Sequence, residues 1–374
     1  MMILVIADDF TGAAEMAGIC LGYGLRVMIC TEDWIPADTD VLIISTDSRS
    51  MDRTAALERV SQVTREAVKM QPGCVYKKID SVLRGFVADE LLVQLELLGL
   101  HKAVIAPANP SLGRIISGGK YFINGIEIAA SDFAKDPEFA IGSSDVKEML
   151  GGAKINLLQK GSPVVEGLNI AESETVADAG YWASQVDRDC LPAGSGDFFD
   201  ALLQRKYIKV NQQNQPALHT PHLYVSGTSF TVSKNRIREQ GGACVAYIAA
   251  GLITGALPDE DWLTKAGIVL QQYQRLIIAF DDSIDTRNFD AVVLRNKMAE
   301  YVKAVVDRFG IQELLIEGGA TAAAVFQALG ARCFEPLYEW ERGIVQMKTG
   351  HLTCIVKPGS YELPPVVKEL YGML

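Results

Sequence analysis

Short β-branched runs separated by helix-length stretches constrain this chain more than any other feature. In the first third the runs are MILVIA, VLIIS, CVYKKI and AVIAP. Between them lie GAAEMAGICLGYG, MDRTAALERVSQVTREAVKM and ADELLVQLELLG, and around the last of these apolar residues recur at Val87, Leu91, Leu95 and Leu98. A strand reached through a helix lies parallel to its predecessor, because a parallel neighbour needs a crossover of about a dozen residues or more. The pattern therefore predicts parallel sheets with helices on both faces.

The stretch from Lys206 to Leu223, KYIKVNQQNQPALHTPHL, turns polar, Gln-rich and Pro-containing and reads as a linker. Beyond it the alternation resumes in LYVSG, ACVAYIAAG, RLIIAF and ELLIEGG, with an amphipathic helix from about Arg287 to Phe309. At 374 residues and 49% hydrophobic content the chain can bury two cores. The expected fold class is α/β in two domains, 1–210 and 218–374, each with a mainly parallel sheet flanked by helices. Residues 120–145 are less regular and read as a loop with short strands.

A net charge of −11 argues against nucleic acid or an anionic membrane as partner, since the summed field repels polyphosphates. Any anionic ligand must be caught by a local cluster of cations. The seven cysteines form no C-x-x-C pair and no His-linked metal spacing, which fits a reducing cytoplasm. The apolar start reads as a first strand rather than a signal peptide. CVAYIAAGLITGAL, Cys244 to Leu257, is too short for a membrane span and reads as a buried strand and turn.

In open α/β sheets ligands bind beyond the carboxyl ends of the strands. Four such loops stand in the first half: Asp8-Asp9-Phe10-Thr11-Gly12; Thr46-Asp47-Ser48-Arg49; Lys77-Lys78-Ile79-Asp80-Ser81 with Arg84; and Pro107-Ala108-Asn109-Pro110-Ser111 with Arg114. They hold five cations, Arg49, Lys77, Lys78, Arg84 and Arg114, beside carboxylates, hydroxyls and an amide. That mixture suits a small polyhydroxylated anion, with guanidinium forks for a carboxylate and Asp, Asn and Ser for hydroxyls. Each loop taken singly also fits an ordinary polar turn.

The second half offers backbone instead of charge. LLIEGGATAAAVFQALG is a strand, a Gly318-Gly319 turn and an Ala-rich helix, whose first N–H groups are unpaired. Ser226, Gly227 and Thr228 precede another helix, and IVKPGSYELP adds a Gly-Ser turn after Lys357. Together these suggest a phosphate-rich ligand, although glycines of this kind also mark caps and close packing.

Two other chemistries are weaker. DDFTG resembles a phosphatase aspartate pair, but its two aspartates are adjacent and Phe10 fills the place of the acid. PAGSGDFFDALL looks like the anion hole and catalytic Asp of ribokinase-type sugar kinases, which would make Asp197 the base; it also reads as a turn opening a helix with Asp197 in the first turn. The four histidines pair with no Cys or nucleophilic Ser.

The succession IADDFTGA, TDSRS, KKIDSVLRG, APANPSLGR, GKYFINGIEIAASDFAKDP, VSGTSFT, IEGGATA and VKPGS resembles the four-carbon acid sugar kinases over nearly the whole chain. The resemblance implies ATP-dependent phosphorylation of a C4 sugar acid such as a threonate, erythronate or 3-oxo-tetronate. The acid would bind the N-terminal domain and the nucleotide the C-terminal one. It assigns substrate contacts to Asp8 or Asp9, Arg49, Lys78, Asp80, Ser81 and Arg84, beside which the loop reading places Asn109 and Arg114. Nucleotide contacts fall to Ser226 and Gly227, to Gly318, Gly319 and Thr321, and to the turn Lys357, Pro358, Gly359 and Ser360. Ala320 stands where the family usually has an acidic residue, and the turn ends in Tyr361-Glu362 where the family's commonly ends in an aromatic and a glycine. A sugar-acid-binding protein without turnover is the rival reading.

The expected mechanism is in-line transfer to a hydroxyl, with Mg²⁺, lysine and arginine offsetting the charge on the phosphoryl group. Adjacent residues of a strand face opposite ways, so only one aspartate can meet the hydroxyl squarely. Asp9 is the expected base and Asp8 the orienting residue. The expected partners are the sugar acid and ATP, with a homodimer left open.

Overall fold

The computed structural model describes residues 2–32, 38–135, 139–152, 154–210, 215–228, 230–240, 242–281, 284 and 289–373. The chain divides into two compact units, Met1–Asn211 and Gln212–Leu374.

In the first unit the strands are β1 (Ile3–Ala7), β2 (Val27–Cys30), β3 (Val41–Ser45), β4 (Cys74–Lys78), β5 (Lys102–Ala106), β6 (Arg114–Ser117), β7 (Lys120–Ile123), β8 (Ile126–Glu127), β9 (Ile155–Leu158), β10 (Gly167–Ala171) and β11 (Cys190–Gly194). Eight of them form a parallel sheet in the order β2-β3-β1-β4-β11-β5-β10-β9. β6, β7 and β8 form a small antiparallel sheet in the region expected to hold short strands. The helices are α1 (Phe10–Leu21), α2 (Arg53–Met70), α3 (Val87–Leu98), α4 (Val146–Met149), α5 (Val176–Ser184) and α6 (Gly196–Gln204).

Register brings the strand-end loops together. Ala7 stands opposite Ser45 on one side and Lys78 on the other, and Gly194 stands opposite Lys78 and Ala106. The loops after β1, β3, β4, β5 and β11 therefore leave the sheet at one level. Helix α1 is buried along almost its whole length because its Ala and Gly residues allow close approach to the sheet.

In the second unit the strands are β12 (His222–Ser226), β13 (Val245–Ile248), β14 (Arg275–Phe280), β15 (Glu313–Glu317), β16 (Cys333–Glu341), β17 (Ile344–Thr349) and β18 (Leu352–Lys357). The order is β13-β14-β12-β15-β18-β17-β16; the first five are parallel, and β16, β17 and β18 form an antiparallel meander. The helices are α7 (Thr231–Gln240), α8 (Ala250–Ile253), α9 (Asp259–Tyr273), α10 (Ala291–Phe309), α11 (Gly319–Leu329) and α12 (Pro365–Tyr371). Ser226, Glu317 and Lys357 are register partners, so three strands again end level. Beneath them Tyr224, Ile277, Leu315 and Ile355 form part of the core.

The α/β class with mainly parallel sheets is as expected from the alternation. Three details differ. The long helix starts at Ala291 behind an Asp290 cap, and Arg287 lies outside the described residues. The apolar stretch after Cys244 holds strand β13 and then a one-turn helix, α8, that buries Leu252 and Ile253. The start of the expected linker belongs to the first unit, where the Val210 N–H donates to Gly22 O at 2.9 Å. Among the described residues no helix is long and apolar enough to cross a membrane.

Candidate functional site

The strand-end loops of the first unit converge on Arg49. A short 3₁₀ turn, Ser48–Ser50, follows Asp47, which is held left-handed at φ 51°. From it the Arg49 guanidinium reaches Asp8 Oδ2 at 2.9 Å, Asp9 Oδ1 at 3.1 Å and Asp80 Oδ1 at 3.5 Å. Asp80 is also gripped by Arg84, whose Nε lies 2.7 Å from Oδ2 and whose Nη2 lies 3.0 Å from Oδ1. Burial works against the Asp80 charge, but Arg49 and Arg84 overcome it and hold the carboxyl far below its usual range. The same guanidinium is fixed in its charged form by its three carboxylates, against the effect of burial.

Asp8 and Asp9 differ sharply. Asp9 is the N-cap of α1, with Thr11 Oγ1 donating to Oδ2 at 2.5 Å and Gly12 N donating to Oδ1 at 2.8 Å. Burial opposes its charge, yet Arg49, Lys78 and these donors hold the carboxyl below the ordinary range. Among the described residues nothing hydrogen-bonds to Asp8 Oδ1, which is buried. For Asp8 desolvation outweighs Arg49, which is shared with two other carboxylates, and the Asp9 charge adds to the effect, so its carboxyl is pushed up. The expected preference for Asp9 thus meets a carboxylate already committed to a helix cap, while the open acceptor and the raised carboxyl belong to Asp8.

The two lysines of β4 face opposite ways, as strand geometry requires. Lys78 Nζ lies 2.8 Å from Ile79 O and 3.4 Å from Glu15 Oε2, beside Gly12, where a Cβ would come within 3.1 Å of it. Lys77 is instead buried at 2.5 Å from Glu90 of α3, on the other face of the sheet, and so does not join the cluster of cations.

Asn109 is buried among protein partners: its amide donates to Glu15 Oε1 at 3.3 Å, and its carbonyl accepts from Ser195 Oγ at 2.7 Å and Asp197 N at 2.9 Å. Asp197 in turn accepts from Ser111 N at 2.9 Å and Ser111 Oγ at 2.6 Å. Both its oxygens thus hold the 110–112 turn. Ser81 accepts from Arg114 through its hydroxyl and from Tyr121 OH through its carbonyl at 2.6 Å. Arg84 and Arg114 both lie against the Phe133 ring, at 5.3 and 5.8 Å from its centroid.

In the second unit the predicted nucleotide segments meet at the level ends of β12, β15 and β18. A methyl on Gly227 would drive into the Thr321 side chain, and one on Gly359 would come within 2.5 Å of Thr228 Oγ1. Gly318 caps α11 at φ 103°, and its N–H donates to Lys357 O at 2.9 Å. The side chains of Ser226 and Lys357 turn inward onto buried Glu317, at 3.0 and 2.7 Å. Thr321 is buried beside Gly227, and Pro358 O accepts from Lys357 Nζ at 2.8 Å. Gly319 opens α11, and the backbone of Ser360 continues the turn after β18.

Reading loops alone missed Glu15, Glu317 and Phe133. Glu15 is a lone carboxylate in the apolar helix FTGAAEMAGICL, and Glu317 ends an otherwise apolar strand; a buried charge demands a partner, and that was the available signal. Phe133 carried none.

Residues 3–176 match a sugar-binding N-terminal domain model. A D-threonate kinase from Salmonella typhimurium is 35% identical over 88% of this chain and 87% of its own length. A 3-oxo-tetronate kinase from Brucella melitensis is 24% identical over 96% and 92%. A solved structure from Salmonella typhimurium LT2 shares the fold, with a TM-score of 0.78 at 17% identity over 100% of this chain and 98% of that one. With agreement of this extent, the chain belongs to the four-carbon acid sugar kinase family.

Proposed function

We propose that the protein transfers the γ-phosphoryl group of ATP to a hydroxyl of a four-carbon sugar acid. The acid is held in the first unit and the nucleotide in the second. The observation that carries this reading is the strand-end cluster, in which one guanidinium serves three carboxylates and leaves Asp8 with a buried acceptor. Asp8 takes the hydroxyl proton; its raised carboxyl makes it a better base than an ordinary aspartate. Arg49 stops two adjacent aspartates from repelling the anionic substrate, and Arg84 and Arg114 meet the acid's carboxylate. Asp80 and Ser81 face its hydroxyls. The match to a sugar-binding domain over residues 3–176 supports the placing of the acid.

The nucleotide phosphates meet backbone N–H groups at the start of α11, at Gly319, and in the 357–360 turn, in the manner of helix-start anion sites, with Gly227 packed close beside them. Among the described residues no group of three His, Cys, Asp or Glu side chains could cage a cation. The kinase reading brings Mg²⁺ with the nucleotide. When bound, it offsets charge on the transferring group. Use of ATP places the enzyme in the cytoplasm.

ADP release, measured in a coupled assay with D-threonate, D-erythronate and 3-oxo-tetronate at saturating Mg-ATP, tests this reading. Turnover of at least one acid is expected. Binding of an acid without ADP release would overturn it in favour of a non-catalytic binding protein.

A further inference from the structure

Glu317 is buried at the end of β15, and every acceptor position of its carboxylate is occupied. Oε1 receives Ser233 Oγ at 2.6 Å and Lys357 Nζ at 2.7 Å; Oε2 receives Tyr224 OH at 2.6 Å and Ser226 Oγ at 3.0 Å. These donors come from β12, from the first turn of α7 and from β18. The backbone repeats the pattern, with Gly227 N donating to Glu317 O at 3.4 Å and Gly318 N to Lys357 O at 2.9 Å. One carboxylate thus ties together the three segments proposed to hold the phosphates. Lys357 and Glu317 are each fully buried, so the pair is neutral as a unit and the lysine is committed to the glutamate.

We infer that Glu317 is the positioning residue of the nucleotide site: it fixes the Ser226-Gly227, Gly318-Gly319 and Lys357–Ser360 turns in register, so that N–H groups and not the Ser226 hydroxyl or the Lys357 ammonium meet the nucleotide. This rests on the proposed placing of ATP in the second unit. A buried, fully satisfied network holds its members to one arrangement, and a donor lost from it leaves a charge partly uncompensated. The consequence is a shifted phosphate cradle, felt by the nucleotide and not by the acid.

Tyr224→Phe and Ser233→Ala each remove one donor without touching the turns themselves. Tyr371→Phe is the control: its hydroxyl lies 2.8 Å from His222 Nδ1, at the opposite end of β12 and in the same core. Calorimetric Kd for Mg-ADP, KM for Mg-ATP and Tm are measured for all three. The expected result is a rise of about tenfold in Kd and in KM for Mg-ATP for the first two variants, with KM for the acid within about twofold. Tyr371→Phe should lower Tm with no change in Kd. If Tyr224→Phe and Ser233→Ala lower Tm as the control does and leave Kd within about twofold, Glu317 is merely structural and the inference fails. A wild-type protein that binds Mg-ADP but turns over no acid sinks the kinase reading alone, and Kd still decides this one. Wild-type protein that fails to bind Mg-ADP sinks both.

Discussion

Two nitrogens of Arg49, Nε and Nη2, lie 2.9 Å from the same oxygen of Asp8, Oδ2. The fork therefore neutralises one edge of the carboxylate and leaves Oδ1 without a donor among the described residues. An aspartate held in this way is oriented by its ion pair yet keeps an acceptor for a proton.

Replacing Asp8 with Asn should lower kcat by about a hundredfold or more, the usual contribution of a general base. Asp9→Ala should act first on stability, removing the α1 cap at a cost of about 1–2 kcal/mol. Steady-state kinetics and thermal melts on the two variants separate these roles. If Asp8→Asn keeps wild-type kcat, Asp9 or another group is the base.

The pH dependence follows from opposite shifts. Asp8 is pushed up, so kcat/KM should rise with pH through a value above the ordinary aspartate pKa of about 3.9, and Asp8→Asn should abolish that limb. The raised carboxyl makes its contribution to stability fall as pH rises from the unfolded pKa through the folded one. Asp9 and Asp80 are pushed down; their stabilisation is present above about pH 4 and is lost as pH falls through their folded values. Tm measured against pH checks the two signs.

Asp197→Asn should leave kcat within a few-fold of wild type while lowering Tm, because Asp197 holds the Ser111 turn. Abolished turnover in a variant that melts normally would restore the ribokinase-type assignment.

Lys77→Met should cost about 3–5 kcal/mol, since it strands the buried Glu90 charge. Lys77→Met with Glu90→Leu should recover most of that loss, and KM for the acid should stay unchanged in both. Denaturant melts give the stabilities; a raised KM would return Lys77 to the site.

Gly227→Ala forces a methyl into Thr321, so the loop after β12 must move. KM for Mg-ATP should rise by about tenfold with KM for the acid unchanged, and equal KM values for ATP in variant and wild type would remove Gly227 from the nucleotide site.

The alternation of apolar runs and helical patterns determined the α/β class and the position of the loops, because hydrophobic periodicity is local. It also placed Asp8, Asp9, Arg49, Asp80 and Arg84 at strand ends, and register then brought them within ion-pair distance. Sequence could not rank Asp8 against Asp9, because the difference lies in which oxygens the helix start and a loop 41 residues away already occupy. Nor could it separate Lys77 from Lys78 or turn Ser226 and Lys357 inward onto Glu317. Those choices depend on which face of a strand is buried and on the need of each buried charge for a partner, and only the packed chain supplies either.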